Sequence, residues 1–228
     1  MDALQTLLSE YDVVAAFWMT IKLTFFGAIG AFIIGTVIAI MRVSPVKVFQ
    51  TFGLAYVTLV RNTPLTLLVF GCAFGLAITL QINLAPENSP TFIVDNNFRW
   101  GVVALAIYHA AFVAEAIRSG INTVPQGQAE AARAIGLPFL PTITTIVLPQ
   151  AFRGAIAPLG SVLIALIKNT TVASIIGVAE ASGLMKTIIE NETASVAVFM
   201  VFALGFVILT LPLGVLFTHL SRRLAVKR

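Results

Sequence analysis

An all-α integral membrane protein with five transmembrane helices is the fold class this sequence predicts, on three observations. The composition is 58% hydrophobic against 11% charged, with mean hydropathy +0.98, far from that of a soluble domain. Five segments are long and apolar enough to supply the roughly 20 residues a helix needs to cross the hydrocarbon core. The few charges fall on alternate sides of those segments, cations on one side and anions on the other.

The spans are placed at Val13 to Met41, Phe49 to Ile82, Trp100 to Ile117, Ala155 to Val178 and Ala194 to Leu220. Met1 to Asp12 carries Asp2, Glu10 and Asp12 but no Lys or Arg, so it lacks the basic start of a cleavable signal, and the first span is expected to be retained. Arg42 and Lys47 follow the first span, Arg118, Arg133 and Arg153 surround the loop after the third, and Arg222, Arg223, Lys227 and Arg228 end the chain. Excess Lys and Arg marks the cytoplasmic side, so all three sets agree on a cytoplasmic C-terminus. The opposite side receives Asp2, Glu10, Asp12, Glu87, Asp95, Glu190 and Glu192, which makes the N-terminus extracytoplasmic. The net charge of +4 then reflects orientation and gives no reason to invoke nucleic acid. Residues 1–228 read as a single membrane domain with no soluble second domain.

Arg118 to Arg153, between the third and fourth spans, is too polar and proline-punctuated to cross a membrane. Pro125 suits the first turn of a short helix, Gln128 to Ile135 are mostly helix formers, and Gly136-Leu137-Pro138 ends it through a left-handed residue and a proline. This gives a short helix outside the bilayer. Two spans are expected to be interrupted near their middles, at Arg61-Asn62-Thr63-Pro64 and at Lys168-Asn169-Thr170-Thr171. Irregular backbone at membrane depth is tolerated only where protein buries it or it lines a cavity, so paired breaks point to a transport site.

Several chemistries are excluded. The chain has no Gly-x-x-x-x-Gly-Lys-Ser/Thr phosphate loop, no nucleophile with a positioned base and no metal-ligand cluster, so an enzyme reading has no support. The single cysteine, Cys72, lies in an apolar run and reads as packing. His109 and His219 stand alone and read as packed or interfacial side chains.

Glu130-Ala131-Ala132-Arg133-Ala134-Ile135-Gly136, followed after nine residues by Ile146-Val147-Leu148-Pro149, resembles the "EAA" loop of ATP-driven importers, with every fixed position matched. Glu115-Ala116-Ile117-Arg118-Ser119-Gly120, Val124 to Gln128 and Lys168 to Thr171 likewise resemble permeases for polar amino acids of the histidine/glutamine/glutamate type. The overall likeness is greatest to the glutamate-uptake permeases of actinobacteria. Two departures stand out: Phe112 where many relatives have Tyr, and Ala129 where a larger side chain is common.

The resemblance implies the five-span, type I ABC importer fold with a cytoplasmic coupling helix, in the bacterial cytoplasmic membrane. It implies a second permease chain, expected to be a paralogue in a heterodimer, two ATPase subunits that bind ATP and Mg2+, and an extracytoplasmic amino-acid-binding protein. This chain itself would bind no cofactor and no metal. Gly127, Glu130, Ala131, Ala132, Arg133 and Gly136 would dock against the ATPase: small residues allow close approach, Glu130 can accept charge-assisted hydrogen bonds, and Gly136 permits a sharp turn.

Arg61 and Lys168 are cations in apolar spans, where an unpaired charge is costly. Either they face a cavity and meet substrate carboxylates, Arg61 bidentately, or they neutralise Glu115 or Glu180, or snorkel to an interface. Asn62, Thr63, Asn169, Thr170 and Thr171 would either hydrogen-bond a zwitterion or cap broken helices, and Pro64 is a pathway candidate as part of the break. Glu115 is spaced for a salt bridge to Arg118, whereas the resemblance makes it an inward-facing acid below the substrate path. The sequence thus favours ATP-driven import of an acidic amino acid, with glutamine or a basic amino acid, or an ion-coupled carrier, as the alternatives.

Overall fold

The computed structural model describes residues 10–191 and 195–224 and is helical throughout. Its helices are α1 (Val13–Val43), α2 (Lys47–Asn62), α3 (Leu65–Thr79), α4 (Phe92–Ile121), α5 (Gln126–Ala134), α6 (Phe139–Ile176), α7 (Ala181–Asn191) and α8 (Ser195–Leu224). Four of them, α1, α4, α6 and α8, are long and apolar enough to cross a membrane, and the bent pair α2 and α3 makes five if it counts as one span. Ala194, Asp2, Glu192, Lys227 and Arg228, on which parts of the span and charge reading rest, lie outside the described residues.

α1 begins where Asp12 accepts a hydrogen bond from the Ala15 N–H at 2.8 Å, a side-chain cap of the first turn. Its inward face, Thr20, Leu23, Gly27, Ala31, Gly35 and Ile38, is spaced three or four residues apart and buried. That stripe packs along α4, where small residues let the backbones approach. A Cβ at Gly30 would lie 2.7 Å from the Ala106 Cβ, and one at Gly35 would lie 2.7 Å from Val113 and 2.8 Å from the Ala110 carbonyl. Lipid tails offer no hydrophobic drive for helices to associate, so such close packing carries much of the attraction. α6 closes on the other side of α4 at Gly120, whose added Cβ would fall 2.1 Å from the Ala151 carbonyl oxygen.

The interruption of the second span is present. α2 ends at Asn62, Thr63 and Pro64 are extended, and α3 leaves at 105° to α2. Proline disfavours helical backbone in the residue before it and has no N–H to continue the ladder. Asn62 and Thr63 bond back to the carbonyls of Thr58 and Leu59 at 2.8 and 2.9 Å. From Gly71 to Thr79 the helix widens to π geometry, with Cys72 buried in the core as expected.

The fourth span departs from expectation twice. Its helix starts at Phe139 instead of Ala155, running through a π segment, Thr142–Val147, and over Pro149, which occupies a first-turn position of the α segment that follows. Pro149 falls where π geometry gives way to α geometry, so its missing N–H interrupts the ladder at a junction and the helix runs on past it. The expected break at Lys168–Thr171 is a tightening near the end of the span: α geometry gives way to 3-10 geometry over Thr170–Ile176, with Thr170 and Thr171 hydroxyls donating to Ile167 and Lys168 carbonyls at 2.7 and 2.8 Å.

α5 forms as the sequence predicts. Pro125 precedes it, and Gly136, at φ +87°, ends it in the left-handed conformation. The Leu137 N–H returns to the Ala132 carbonyl at 3.0 Å and the Gly136 N–H to Arg133 at 2.9 Å, the paired closure of a glycine-terminated helix. Ala132 is buried, while Gly127, Glu130, Ala131, Arg133 and Gly136 are exposed. Ala129 packs toward Val124, Ile143 and Val147.

Candidate functional site

The bend between α2 and α3 sets Arg61 and Asn62 beside α4. Together with Thr58, Phe112, Glu115 and Arg118 they line a cleft of about 520 Å3. The Arg61 guanidinium lies over the Phe112 ring, 5.5 Å from its centroid, so Phe112 presents an aromatic face to a cation. A larger cleft, about 620 Å3 between α1, α6 and α8, is walled by aliphatic and phenylalanine side chains with Thr24 the one hydroxyl. It has nothing to orient a charged solute, whereas the Arg61 cleft gathers three of the residues expected on the substrate path, Arg61, Phe112 and Glu115, and is the candidate site.

Glu115 is the hub of the smaller cleft. Its carboxylate bonds Arg118 at 2.9 Å on its own helix and also Arg42 at the end of α1. The pair with Arg118 follows from helical spacing, whereas Arg42 joins from 73 residues away and could be read from the sequence only as a cytoplasmic anchor. Arg42 is held in place by α2, where a Cβ at Gly53 would meet its side chain at 2.7 Å. Two cations on one carboxylate leave an excess of positive charge that Arg61 increases.

Among the described residues neither Arg61 nor Lys168 forms an ion pair with Glu115 or Glu180. Glu115 is engaged by Arg42 and Arg118. Glu180, fully buried beyond the end of α6, accepts from the Ser182 hydroxyl at 2.6 Å, the Ser182 N–H at 2.9 Å and the Gly183 N–H at 2.8 Å. The Glu180 carboxylate thus caps the start of α7, while burial pushes that carboxyl above its ordinary value.

Lys168, Asn169 and Thr171 do not line the Arg61 cleft; they stand where α6 tightens, Lys168 exposed and Thr170 buried. The two groups of candidates are joined through His109, which sequence reading left as a lone packed side chain. It is buried as expected, but its ring also touches both sides: Nε2 is 3.1 Å from the Asn169 amide nitrogen, and its centroid is 6.3 Å from that of Phe112. Among the described residues no group of three or more His, Cys, Asp or Glu could hold a metal ion.

Residues 15–226 match the family described as binding-protein-dependent transport system inner membrane component. The chain belongs to this family. The permease is 58% identical over 218 residues, 95% of its own length and 96% of the relative's, to the glutamate transport system permease protein GluC of Corynebacterium glutamicum. It is 54% identical over 95% of its length and 96% of the relative's to GluC of Corynebacterium efficiens. Among solved structures, an amino acid ABC transporter crystallised with histidines is 29% identical and superposes with TM-score 0.76 over 92% of this chain and 93% of that one. The permease is therefore a multi-span subunit of an ABC importer, a class whose members are transport proteins and not enzymes, and its fold is that of the solved importers.

Proposed function

We propose that this permease carries an acidic amino acid, glutamate first, across the bacterial cytoplasmic membrane. The observation that carries the reading is the charge around the cleft: three guanidiniums, Arg42, Arg61 and Arg118, against the single carboxylate of Glu115, a net charge of +2. Glutamate brings one carboxylate more than its ammonium balances, so it lowers that excess. A basic amino acid would raise it, and at the reduced effective dielectric of a partly buried site like charges a few ångströms apart repel by several kcal/mol. Similarity to permeases named for glutamate transport points the same way.

In this reading two permease chains, this one and a paralogue, form the pathway. An extracytoplasmic binding protein delivers the substrate, and two ATPase subunits holding ATP and Mg2+ lie beneath, with lipid around the bundle. α5 is the coupling helix, with Gly127, Glu130, Ala131, Arg133 and Gly136 as its docking face and Ala132 anchoring it to the permease. The N-terminus is extracytoplasmic and the C-terminus cytoplasmic. Closure of the motor moves α5 and tilts the bundle about the site, a rigid-body form of alternating access. Arg61 receives a substrate carboxylate while Phe112 shields it from lipid. Lys168 and the polar groups at Asn62, Thr63, Asn169 and Thr171 meet the rest of the zwitterion, with Pro64 fixing the bend and Thr170 the tightened turn.

The test is uptake of radiolabelled glutamate, glutamine and arginine into proteoliposomes holding the complex with its co-purifying subunits, with and without ATP. ATP-dependent glutamate uptake competed by aspartate is expected. Preference for glutamine or arginine would overturn the substrate. Uptake that persists without ATP and collapses with an ion gradient would replace the importer by a secondary carrier.

A further inference from the structure

His109 lies in the middle of α4, 1% exposed, with both ring nitrogens engaged. Nδ1 is 2.9 Å from the Leu105 carbonyl oxygen, and Nε2 is 3.1 Å from Nδ2 of Asn169, the last residue of the α segment of α6. A carbonyl oxygen can only accept, so the proton of the neutral ring belongs on Nδ1 and the Nε2 lone pair faces Asn169. A doubly protonated ring would place a charge in the bundle with no carboxylate on either nitrogen, which burial disfavours strongly. With Nε2 as acceptor, the Asn169 group that meets it is the amide NH2. The orientation of an asparagine amide follows from such a network. Its oxygen Oδ1 is then turned away from the ring.

We propose that His109 is a positioning residue that locks the Asn169 amide with its oxygen toward the translocation path, where it accepts a hydrogen bond from the α-ammonium of the passing amino acid. The inference rests on the reading that Lys168 to Thr171 faces that path. Asn169 is half-buried, with exposed Lys168 on one side and, on the other, the Thr171 hydroxyl turned back to the Lys168 carbonyl. A free amide can rotate and offer either a donor or an acceptor, so an unlocked Asn169 would recognise a carboxylate as well as an ammonium. The locked amide offers only an acceptor. Cations for the carboxylates and an acceptor for the ammonium then stand on opposite sides of His109, joined through Phe112, whose ring lies 6.3 Å from that of His109 and 5.5 Å from Arg61.

The experiment measures binding of radiolabelled glutamate to the nanodisc-embedded permease–ATPase complex without its binding protein, competed by unlabelled glutamate and by glutarate, which keeps both carboxylates and lacks the ammonium. The wild-type complex should prefer glutamate by roughly tenfold to a hundredfold, the range of one hydrogen bond to a charged group. His109→Phe keeps a ring but removes the acceptor, and should lose most of that preference, with glutarate affinity unchanged. His109→Gln, whose side-chain oxygen can accept from Asn169, should restore part of it. Asn169→Ala should match His109→Phe, and the double variant should be no worse than either. Undiminished preference in His109→Phe, in a complex where Asn169→Ala loses it, overturns the role of His109 and leaves the path intact. Glutamate binding and preference unchanged in both Asn169→Ala and Lys168→Ala would instead remove this segment from the path, and the proposal with it.

Discussion

Arg42, in the last turn of α1, shares the carboxylate of Glu115 on α4 with Arg118, so the first and third spans are tied by charge at one end of the bundle. Removing the shared carboxylate leaves both guanidiniums uncompensated, while removing one arginine only weakens the tie. Glu115→Ala leaves two guanidiniums unpaired, whereas Arg42→Ala leaves Glu115 still paired with Arg118, so both should destabilise the assembled complex, Glu115→Ala by the larger amount, about 1–3 kcal/mol after allowance for partial exposure. Thermal unfolding of the complex in detergent measures this. The double variant should be far less damaging than the sum of the singles, and strict additivity would show that the tie contributes nothing.

Arg61→Lys should lower glutamate uptake almost as much as Arg61→Ala, by roughly tenfold. A lysine keeps the charge but loses the planar fork and its stacking on a ring such as Phe112. Initial rates of uptake at saturating ATP read this out, and an Arg61→Lys complex with wild-type rates would leave only charge as the requirement.

Gly120→Ala should be among the most damaging single-methyl changes in the chain, because the new Cβ would sit 2.1 Å from the backbone oxygen of Ala151. Backbone cannot step aside as a flexible side chain does, so α4 and α6 must separate at a cost of at least about 1–3 kcal/mol. Yield of folded complex from membranes and its unfolding temperature should both fall.

Gly127 and Gly136 form a paired test of α5. Neither has an atom within 4 Å of an added Cβ, but Gly136 alone has φ +87°. Gly136→Ala should therefore cost about 1–2 kcal/mol of local stability through backbone strain alone. Gly127→Ala should leave folding unchanged or slightly improved, by about 0.5–1 kcal/mol. If α5 docks on an ATPase, Gly127→Ala should still depress ATP-driven uptake in a fully folded complex; wild-type uptake would move the docking face away from Gly127.

Glu180 gives a pH dependence. Burial raises its carboxyl in the folded chain, so the folded state holds its proton to higher pH than the unfolded state. The stability this contributes is present below the ordinary Glu value of about 4.3 and is lost as pH rises through the raised one. Unfolding temperature followed from acid upward should decline over that interval in the wild type and decline less in Glu180→Gln. Identical profiles would show that the donors at Ser182 and Gly183 cancel the burial effect.

Local rules made much of this architecture legible. Apolar windows gave the spans, Thr63-Pro64 the bend, and Gly136 the end of α5, because in each case one or a few adjacent residues fix the backbone. The start of α6 is not legible, since prolines and polar residues mark Arg118 to Arg153 as a loop, whereas Pro149 falls at a π-to-α junction that the helix passes through. The interruption at Lys168–Thr171 was overread because hydroxyls that return to their own helix tighten it without opening it. The site was half legible: Arg61, Phe112 and Glu115 were named as candidates and share a cleft, but Arg42 and His109 enter through contacts spanning 73 and 60 positions. Periodicity carries no information at that range.

The 105° bend at Thr63 and Pro64 governs how force passes along the second span. A straight helix transmits an axial push from one face of the membrane to the other, as a piston does. A crank cannot, so a displacement at the Lys47 end of α2 reaches α3 as torque about the elbow. Arg61, two residues before Thr63, then swings through an arc relative to α4. Small strokes at the Lys47 end would become angular changes in where its guanidinium points.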